Sequence, residues 1–444
     1  MSMVYVGYLG ILLMLSLSVL GMPMAYAMCV VASMGLSLTL GPVNATTQSI
    51  FVMWEQASNF SLMSIPLFIF MGTIAFHSGI VGNLFIAFRR WIGFLPGGLA
   101  AAGVMAAGAF GAVTGSTAAA SATMASTVIP ELEKAGYDRG LSAGAIAASG
   151  GLAAIIPPSV FVIIYAVLTD QSAGQMFVAI LGPGLLTTGL FAGYCVLRCM
   201  ITPSMGPRQP TATWKERIAC LPAAIPVITT FATVIGGIYA GLATPTEAAA
   251  LGCVAVIIIA ACMRKLTRTT ISLAFRDGAK MSASIFFLFI GGWLMSRFLV
   301  TTGTTRHMVD LFVGFQMSRV TLLFMMFFLF LVLGCILEST SILVLTMPFM
   351  YPITQLYGVD AIWFGTFVTM MMVLAGISPP VGLNVFVVRS VCTHIPVIEI
   401  YKGAMPFIVI MGISILAICV FPDLVLAPVR SMIKANIICN YLIL

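Results

Sequence analysis

Apolar residues run through the chain in stretches of roughly 17–25, the length that crosses a hydrocarbon core of about 30 Å. In the first half these stretches predict spans near 4–20, 24–41, 61–80, 140–168 and 174–197. In the second half they predict spans near 219–240, 246–263, 283–301, 361–388 and 404–426. Two further apolar segments, 97–134 and 319–350, are each interrupted by a small polar cluster, Thr114-Gly115-Ser116-Thr117 and Glu338-Ser339-Thr340-Ser341. Split at its cluster, 97–134 yields arms of about 17 residues, or roughly 25 Å of helix, which is short for a full crossing. Both segments therefore predict re-entrant hairpins with tips near mid-membrane. Two of the spans also carry breaks: Gly150-Gly151 and Pro157-Pro158 within 140–168, and Gly376 and Pro379-Pro380 within 361–388. Broken backbone persists inside a bilayer only where protein buries it or where it lines a polar cavity.

The two halves share one register. A constant shift of 222 residues pairs Pro23 with Pro245, Pro130 with Pro352, Gly136 with Gly358 and Asp138 with Asp360. It also pairs Pro157-Pro158 with Pro379-Pro380. Six coincidences in one register, both double prolines among them, indicate duplication of the kind found in carriers. Each half holds five crossings plus a hairpin that returns to its own side, so an odd number of crossings sets the halves in opposite orientation. The expected fold is an all-α polytopic membrane protein of two inverted repeats, 1–198 and 219–427, joined by a cytoplasmic linker at 199–218. A tail at 428–444 matches nothing in the first half.

Composition agrees with this pattern. Of 444 residues, 61% are hydrophobic and 7% are charged, whereas soluble domains carry about 25% charged residues. The net charge of +7 is a topology signal and not a nucleic-acid footprint. With 81–96 and 130–139 placed in the cytoplasm, fifteen Lys and Arg fall on that side and Arg306, Arg319, Arg430 and Lys434 on the other, with Arg297 near a helix end. That is a positive-inside bias, and it puts both termini outside. The first apolar run ends in Ala25-Tyr26-Ala27 but lacks a basic leader, so it is read as a mature span and not a signal peptide. The linker, with Pro203, Pro207, Pro210 and Lys215-Glu216-Arg217, predicts a solvated loop.

The breaks carry the candidate chemistry. Ten scattered Cys and three isolated His offer no metal or haem ligand set. No nucleophile–base pair or phosphate-binding loop is present, so neither an enzyme nor an ATP-driven pump is indicated. Hydroxyls at the tips and unpaired carbonyls at the end of a half-helix near Gly150-Gly151 suit a hard, dehydrated cation such as Na⁺, while N–H groups at a half-helix start suit a carboxylate. The double prolines are expected to open those second half-helices. Candidate solute contacts are Thr114, Ser116, Ser159, Ser341, Ser378 and Asn384. Glu338, an ionisable group at membrane depth, is either functional or a cap on the second hairpin arm. Glu247, Asp138 and Asp360 read as helix-entry partners.

Several runs resemble the large membrane subunit of tripartite ATP-independent periplasmic (TRAP) transporters, within the wider ion-transporter superfamily. They are Thr-Gly-Ser-Thr-Ala-Ala-Ala-Ser (114–121), Ile-Pro-Glu-Leu (129–132) with Gly-Tyr (136–137), Ile-Ile-Pro-Pro-Ser (155–159), Gly-x-Tyr-x-Gly-x-Ala-Thr-Pro-Thr-Glu-Ala-Ala-Ala (237–250) and Gly-Ile-Ser-Pro-Pro-Val-Gly-Leu-Asn (376–384). The resemblance covers nearly all of residues 1–427. It implies an elevator-type carrier in the bacterial inner membrane that takes up a small organic acid and is driven by Na⁺ with no other cofactor. The implied partners are a small subunit of about four helices, expected as a separate chain, and a periplasmic solute-binding protein. The alternatives are a stand-alone Na⁺/dicarboxylate symporter of the same superfamily and an integral membrane complex subunit with no transport role. Family Na⁺ sites between hairpin tips and breaks carry over to Ser116, Thr117, Gly151 and Pro157, and to Ser339, Thr340, Gly376 and Pro379. Ser378 stands where the family often has Thr.

Overall fold

A computed structural model describes residues 3–443 except 81, 83 and 316, and side chains as far as Lys434. The described residues form an all-α polytopic membrane protein. Six helical stretches are long and apolar enough to cross a membrane: Phe60–His77, Ala173–Ile201, Trp214–Tyr239, Pro245–Cys262, Arg268–Thr301 and Val397–Val420.

In chain order the first half contains α1 (Met3–Val19), α2 (Met24–Leu40), α3 (Pro42–Ala57), α4 (Ser64–His77), α5 (Leu84–Ile92), α6 (Gly98–Thr114), α7 (Thr117–Thr127), α8 (Ile129–Lys134), α9 (Arg139–Gly150), α10 (Val160–Leu168) and α11 (Ala173–Ile201). The second half contains α12 (Trp214–Ala219), α13 (Ile225–Phe231), α14 (Gly237–Tyr239), α15 (Pro245–Cys262), α16 (Arg268–Thr301), α17 (Thr304–Gly314), α18 (Arg319–Gly334), α19 (Ser339–Leu356), α20 (Ala361–Ile377), α21 (Leu383–Val391), α22 (Val397–Val420) and α23 (Asp423–Ile443).

Local chemistry sets many of these boundaries. Asp138 and Asp360 cap α9 and α20, their carboxylates accepting from Leu141 N and from Ile362 N and Trp363 N. Each follows a glycine in the left-handed region, Gly136 and Gly358. Thr244 and Glu247 form a reciprocal capping box at the start of α15, which satisfies two otherwise orphaned N–H groups.

Four features depart from the sequence reading. Residues 42–57 form α3, a helix the apolar-run criterion passes over because Asn44, Thr46, Thr47, Gln48 and Glu55 dilute it; Pro42 starts it at a position where proline's missing N–H costs nothing. The span expected at 283–301 is the last part of the 34-residue α16, which Thr267 caps and no proline interrupts. At about 51 Å of helix, α16 is longer than the hydrocarbon core. Residues 428–443 belong to α23, a helix that packs along α11.

The linker, finally, is docked and not loose. Gly206 O accepts from Gly97 N, and Met205 O accepts from Asp138 N at 2.9 Å. Arg90 pairs with Glu216 at 3.0 Å, and the Arg217 guanidinium lies over the Phe94 and Trp214 rings. Backbone groups of the hairpin base, which would otherwise lack partners, hold the linker in place.

The helices gather into two groups. In one, α16 packs along α2 and α4, α15 along α4, and α1 and α3 along α2. In the other, the hairpin arms α6–α7 and α18–α19 pack on the broken helices α9–α10 and α20–α21, with α11 and α22 behind them. The two groups meet mainly where α4 touches α6 and α16 touches α19.

Candidate functional site

The first hairpin turns at Gly115, whose φ of 59° is a left-handed conformation that glycine adopts without the Cβ clash. Ser116 then caps α7, its hydroxyl accepting from Ala119 N at 3.3 Å. The same register shift places Glu338 opposite Ser116, and Glu338 caps α19: its carboxylate accepts from Thr340 N at 3.4 Å, from Thr340 Oγ1 at 2.6 Å and from Ser341 Oγ at 3.3 Å. A serine and a glutamate thus do the same work at matched tips, each satisfying donors that a helix start leaves free.

The breaks differ from the expected form. The double prolines do not open the second half-helices. Both Pro157-Pro158 and Pro379-Pro380 are cis and lie within the breaks, and α10 and α21 begin at Val160 and Leu383. After Gly150 the first broken helix tightens into a 3₁₀ turn, Gly151–Ala154, before it ends. Residues 151–159 are all buried, whereas Pro379 and Pro380 are exposed, so the two breaks are unequal in their access to surroundings.

Close packing joins hairpin to break. A Cβ on Gly115 would lie 2.9 Å from Pro158 O. Gly72 of α4 sits directly against the backbone of Thr114, so the tip touches the other helix group as well.

Both tips face one cavity of about 710 Å³. On its hairpin side it is lined by Thr114–Ala119 and Ala122, by Glu338, Thr340 and Ser341, and by the first turns of α10 and α21. On its other side are the start of α2, Thr73, Phe76 and His77 of α4, and Asp277, Lys280 and Ser284 of α16. His77 Nε2 and Asp277 Oδ2 are 2.8 Å apart.

Of the residues singled out from sequence, Thr114, Ser116, Thr117, Glu338, Thr340 and Ser341 line this cavity. The others lie behind it. Ser339 donates to Met372 O at 3.1 Å, and Ser378 is buried and donates to Leu374 O at 2.7 Å. Gly151 and Gly376 both lie against the Asn384 amide, whose nitrogen is 3.5 Å and 3.6 Å from where their Cβ atoms would be. Asn384 therefore bridges the two breaks. Ser159 is fully buried beside the first tip, Pro157 is buried next to it, and Pro379 O accepts from the Cys335 thiol at 3.1 Å.

Four side-chain oxygens in this region are buried with no hydrogen-bond partner among the described residues: Ser121 Oγ, Thr123 Oγ1, Ser159 Oγ and Asn384 Oδ1. Buried polar atoms left unpaired each cost on the order of 1–3 kcal/mol. The sequence reading passed over Ser121, which lies on Gly150, and the cavity residues His77, Asp277, Lys280 and Ser284. Asp277 and Lys280 fall in the polar stretch before the apolar span 283–301, whereas Ser284 and His77 are single polar residues inside apolar spans.

Comparison with known proteins places the chain. Residues 11–424 match the family model of the tripartite ATP-independent periplasmic transporter DctM component. The chain belongs to this family. It is similar to the ectoine/5-hydroxyectoine TRAP transporter large permease UehC of Ruegeria pomeroyi, 30% identical over 94% of this chain and 96% of that protein. It is also similar to the C4-dicarboxylate large permease DctM of Rhodobacter capsulatus, 28% identical over 94% of this chain and 97% of that protein. The 2,3-diketo-L-gulonate large permease YiaN of Escherichia coli is 28% identical over 93% of this chain and 96% of that protein. Among solved structures, the Alcanivorax borkumensis YdaH transporter covers 85% of this chain at a TM-score of 0.56 and 14% identity, a likeness of fold alone.

This TRAP large permease is thus a transport protein of the bacterial inner membrane, not an enzyme.

Proposed function

We propose that the protein carries a small organic acid into the cell as the Na⁺-coupled permease of a binding-protein-dependent TRAP system. One observation carries the reading: two hairpin tips and the half-helix starts of both breaks converge on a single cavity between two helix groups. The matched elements run in opposite senses through the membrane, as an odd number of crossings per repeat requires, so the site is built from two inverted halves. Tip hydroxyls and the starts of α10 and α21 supply the solute's contacts.

Na⁺ fits the oxygens present. The orphaned Ser159 Oγ and Asn384 Oδ1 are acceptors without donors, and they lie beside the tip and between the breaks. A hard cation satisfies such atoms. Ser116, Thr117, Gly151 and Pro157 surround the first position, and Ser339, Thr340, Gly376 and Pro379 the second. Ser121 adds an oxygen the sequence reading did not include.

The group that holds the hairpins slides as an elevator against the group holding α2, α4 and α16. With 81–96 and 130–139 in the cytoplasm, the rim formed by His77, Asp277 and Lys280 lies at the cytoplasmic end, so the cavity here faces inward. The chain works with a separate small membrane subunit and a periplasmic solute-binding protein, as the relatives' designation as large permeases of tripartite transporters supports.

The test is reconstitution of the large and small subunits into liposomes with labelled organic acid. Uptake is expected only when the loaded binding protein is outside. Equal uptake from free solute would leave the stand-alone symporter as the correct reading.

A further inference from the structure

We propose that Lys280 is the cationic contact for a solute carboxylate on the α16 side of the cavity, an assignment that rests on the organic-acid reading above. The cavity wall holds four ionisable side chains: His77, Asp277, Lys280 and Glu338. Three of them are committed. His77 and Asp277 hold each other at 2.8 Å. Both oxygens of Glu338 accept hydrogen bonds within the second tip. Lys280 alone makes no ion pair or hydrogen bond among the described residues, and its side chain is exposed into the space.

Position strengthens the case. Asp277, Lys280 and Ser284 follow one another at helical spacing and line the cavity from one face of α16. The rest of the wall is largely carbon, with Phe76, Met281, Ile285 and Leu288 among its lining. A flexible ammonium with three donors, set among such neighbours, favours an anion that enters over water that must be shared with apolar surface. His77 sits across from it on α4, and its pairing with Asp277 keeps that carboxylate from closing on the lysine. The hairpin tips offer hydroxyls and no free positive side chain. A solute carboxylate spanning the cavity therefore has its neutral hydrogen bonds on the tip side and its counter-charge on the α16 side. Because Lys280 lies at the cytoplasmic rim, it holds the acid in the inward-facing state, at the point of release.

The experiment measures ligand-induced thermal stabilisation of the purified large and small subunits. The probes are a panel of mono- and dicarboxylates (pyruvate, succinate, N-acetylneuraminate, 2,3-diketogulonate) with zwitterionic ectoine and uncharged succinamide as comparators. For the acid that stabilises the wild type, Lys280→Gln raises the half-saturating concentration about tenfold, the scale of a lost hydrogen bond to a charged group. Lys280→Arg stays close to wild type, and Lys280→Glu is worse than Lys280→Gln. All three keep the ligand-free melting temperature, since the side chain supports no other contact. Unchanged half-saturation in Lys280→Gln and Lys280→Glu, with the acid still stabilising the wild type, overturns the assignment of Lys280 alone. Stabilisation by ectoine or succinamide but by no acid in the panel overturns the carboxylate reading and the assignment with it, and so does stabilisation by no member of the panel.

Discussion

Gly115→Val cuts solute uptake by about tenfold or more while the permease remains in the membrane at its normal level. The expectation follows from two features of one residue. Its backbone lies in the left-handed region, at φ 59°, where an L-residue costs roughly 1–2 kcal/mol and a β-branched one is a genuine outlier. Its Cβ would also lie 2.9 Å from Pro158 O, a backbone atom of the buried break that cannot swing aside. The strain falls on a two-residue turn. The long arm α6 keeps its buried packing, so the fold survives and the relation between tip and break does not. Gly412→Ala, at a glycine with nothing within 4 Å of its Cβ position, serves as the control and transports normally. Normal uptake by Gly115→Val would show that the tip's seating on the break is unimportant for transport.

Glu338 gives the second large effect, and it separates two roles. Glu338→Ala removes three accepted hydrogen bonds at the start of α19. Loss of an N-cap costs about 1 kcal/mol, so the ordered form of the tip becomes several-fold less populated and uptake drops about fivefold. Glu338→Ser restores at the second tip the cap that Ser116 already provides at the first. It is expected to recover at least half of wild-type uptake. If Glu338→Ser is as inactive as Glu338→Ala, the negative charge itself is required, and Glu338 is then more than a cap.

Several landmarks of the 222-residue register were legible in the sequence. Proline and glycine pairs impose backbone constraints that survive divergence, and most landmarks at a shift of 222 fall at matched points of the fold: Gly136 and Gly358 in left-handed turns, Asp138 and Asp360 on helix caps, the double prolines in breaks. Pro130 and Pro352 differ, the first opening α8 and the second lying inside α19. The hairpin tips were legible for a similar reason, since hydroxyls and a glycine stand out against hydrocarbon. Elements that hydropathy scores poorly were not. The helix α3 and the first half of α16 occupy the same place in the repeat and are both rich in polar residues. One stays separate and the other fuses into a 34-residue helix. Run length cannot distinguish a polar helix from a loop, and with that half of α16 went Asp277 and Lys280, two of the four ionisable residues that line the cavity. At the double prolines two rules compete. Proline suits a helix start, but the residue before a proline is pushed away from helical geometry. In a Pro-Pro pair the first proline is itself that residue, and here the helix starts only beyond the pair.

The orphaned oxygens belong to a third class, which only side-chain placement reveals. Ser121, Thr123, Ser159 and Asn384 are ordinary residues in sequence. Their interest comes from lacking a donor in the folded protein.

In the proposed mechanism the hairpin tips and breaks bind the ion that drives transport. The measurement that tests it most directly is initial uptake in proteoliposomes, with small subunit and loaded binding protein, as the outside Na⁺ concentration is varied against K⁺. Wild-type uptake is expected to rise and saturate with Na⁺, and Ser116→Ala and Ser339→Ala to need severalfold more Na⁺ for half-maximal rate at unchanged protein level. Uptake indifferent to Na⁺, or a half-saturating Na⁺ in both variants equal to wild type, would show that the tips and breaks do not bind the coupling ion.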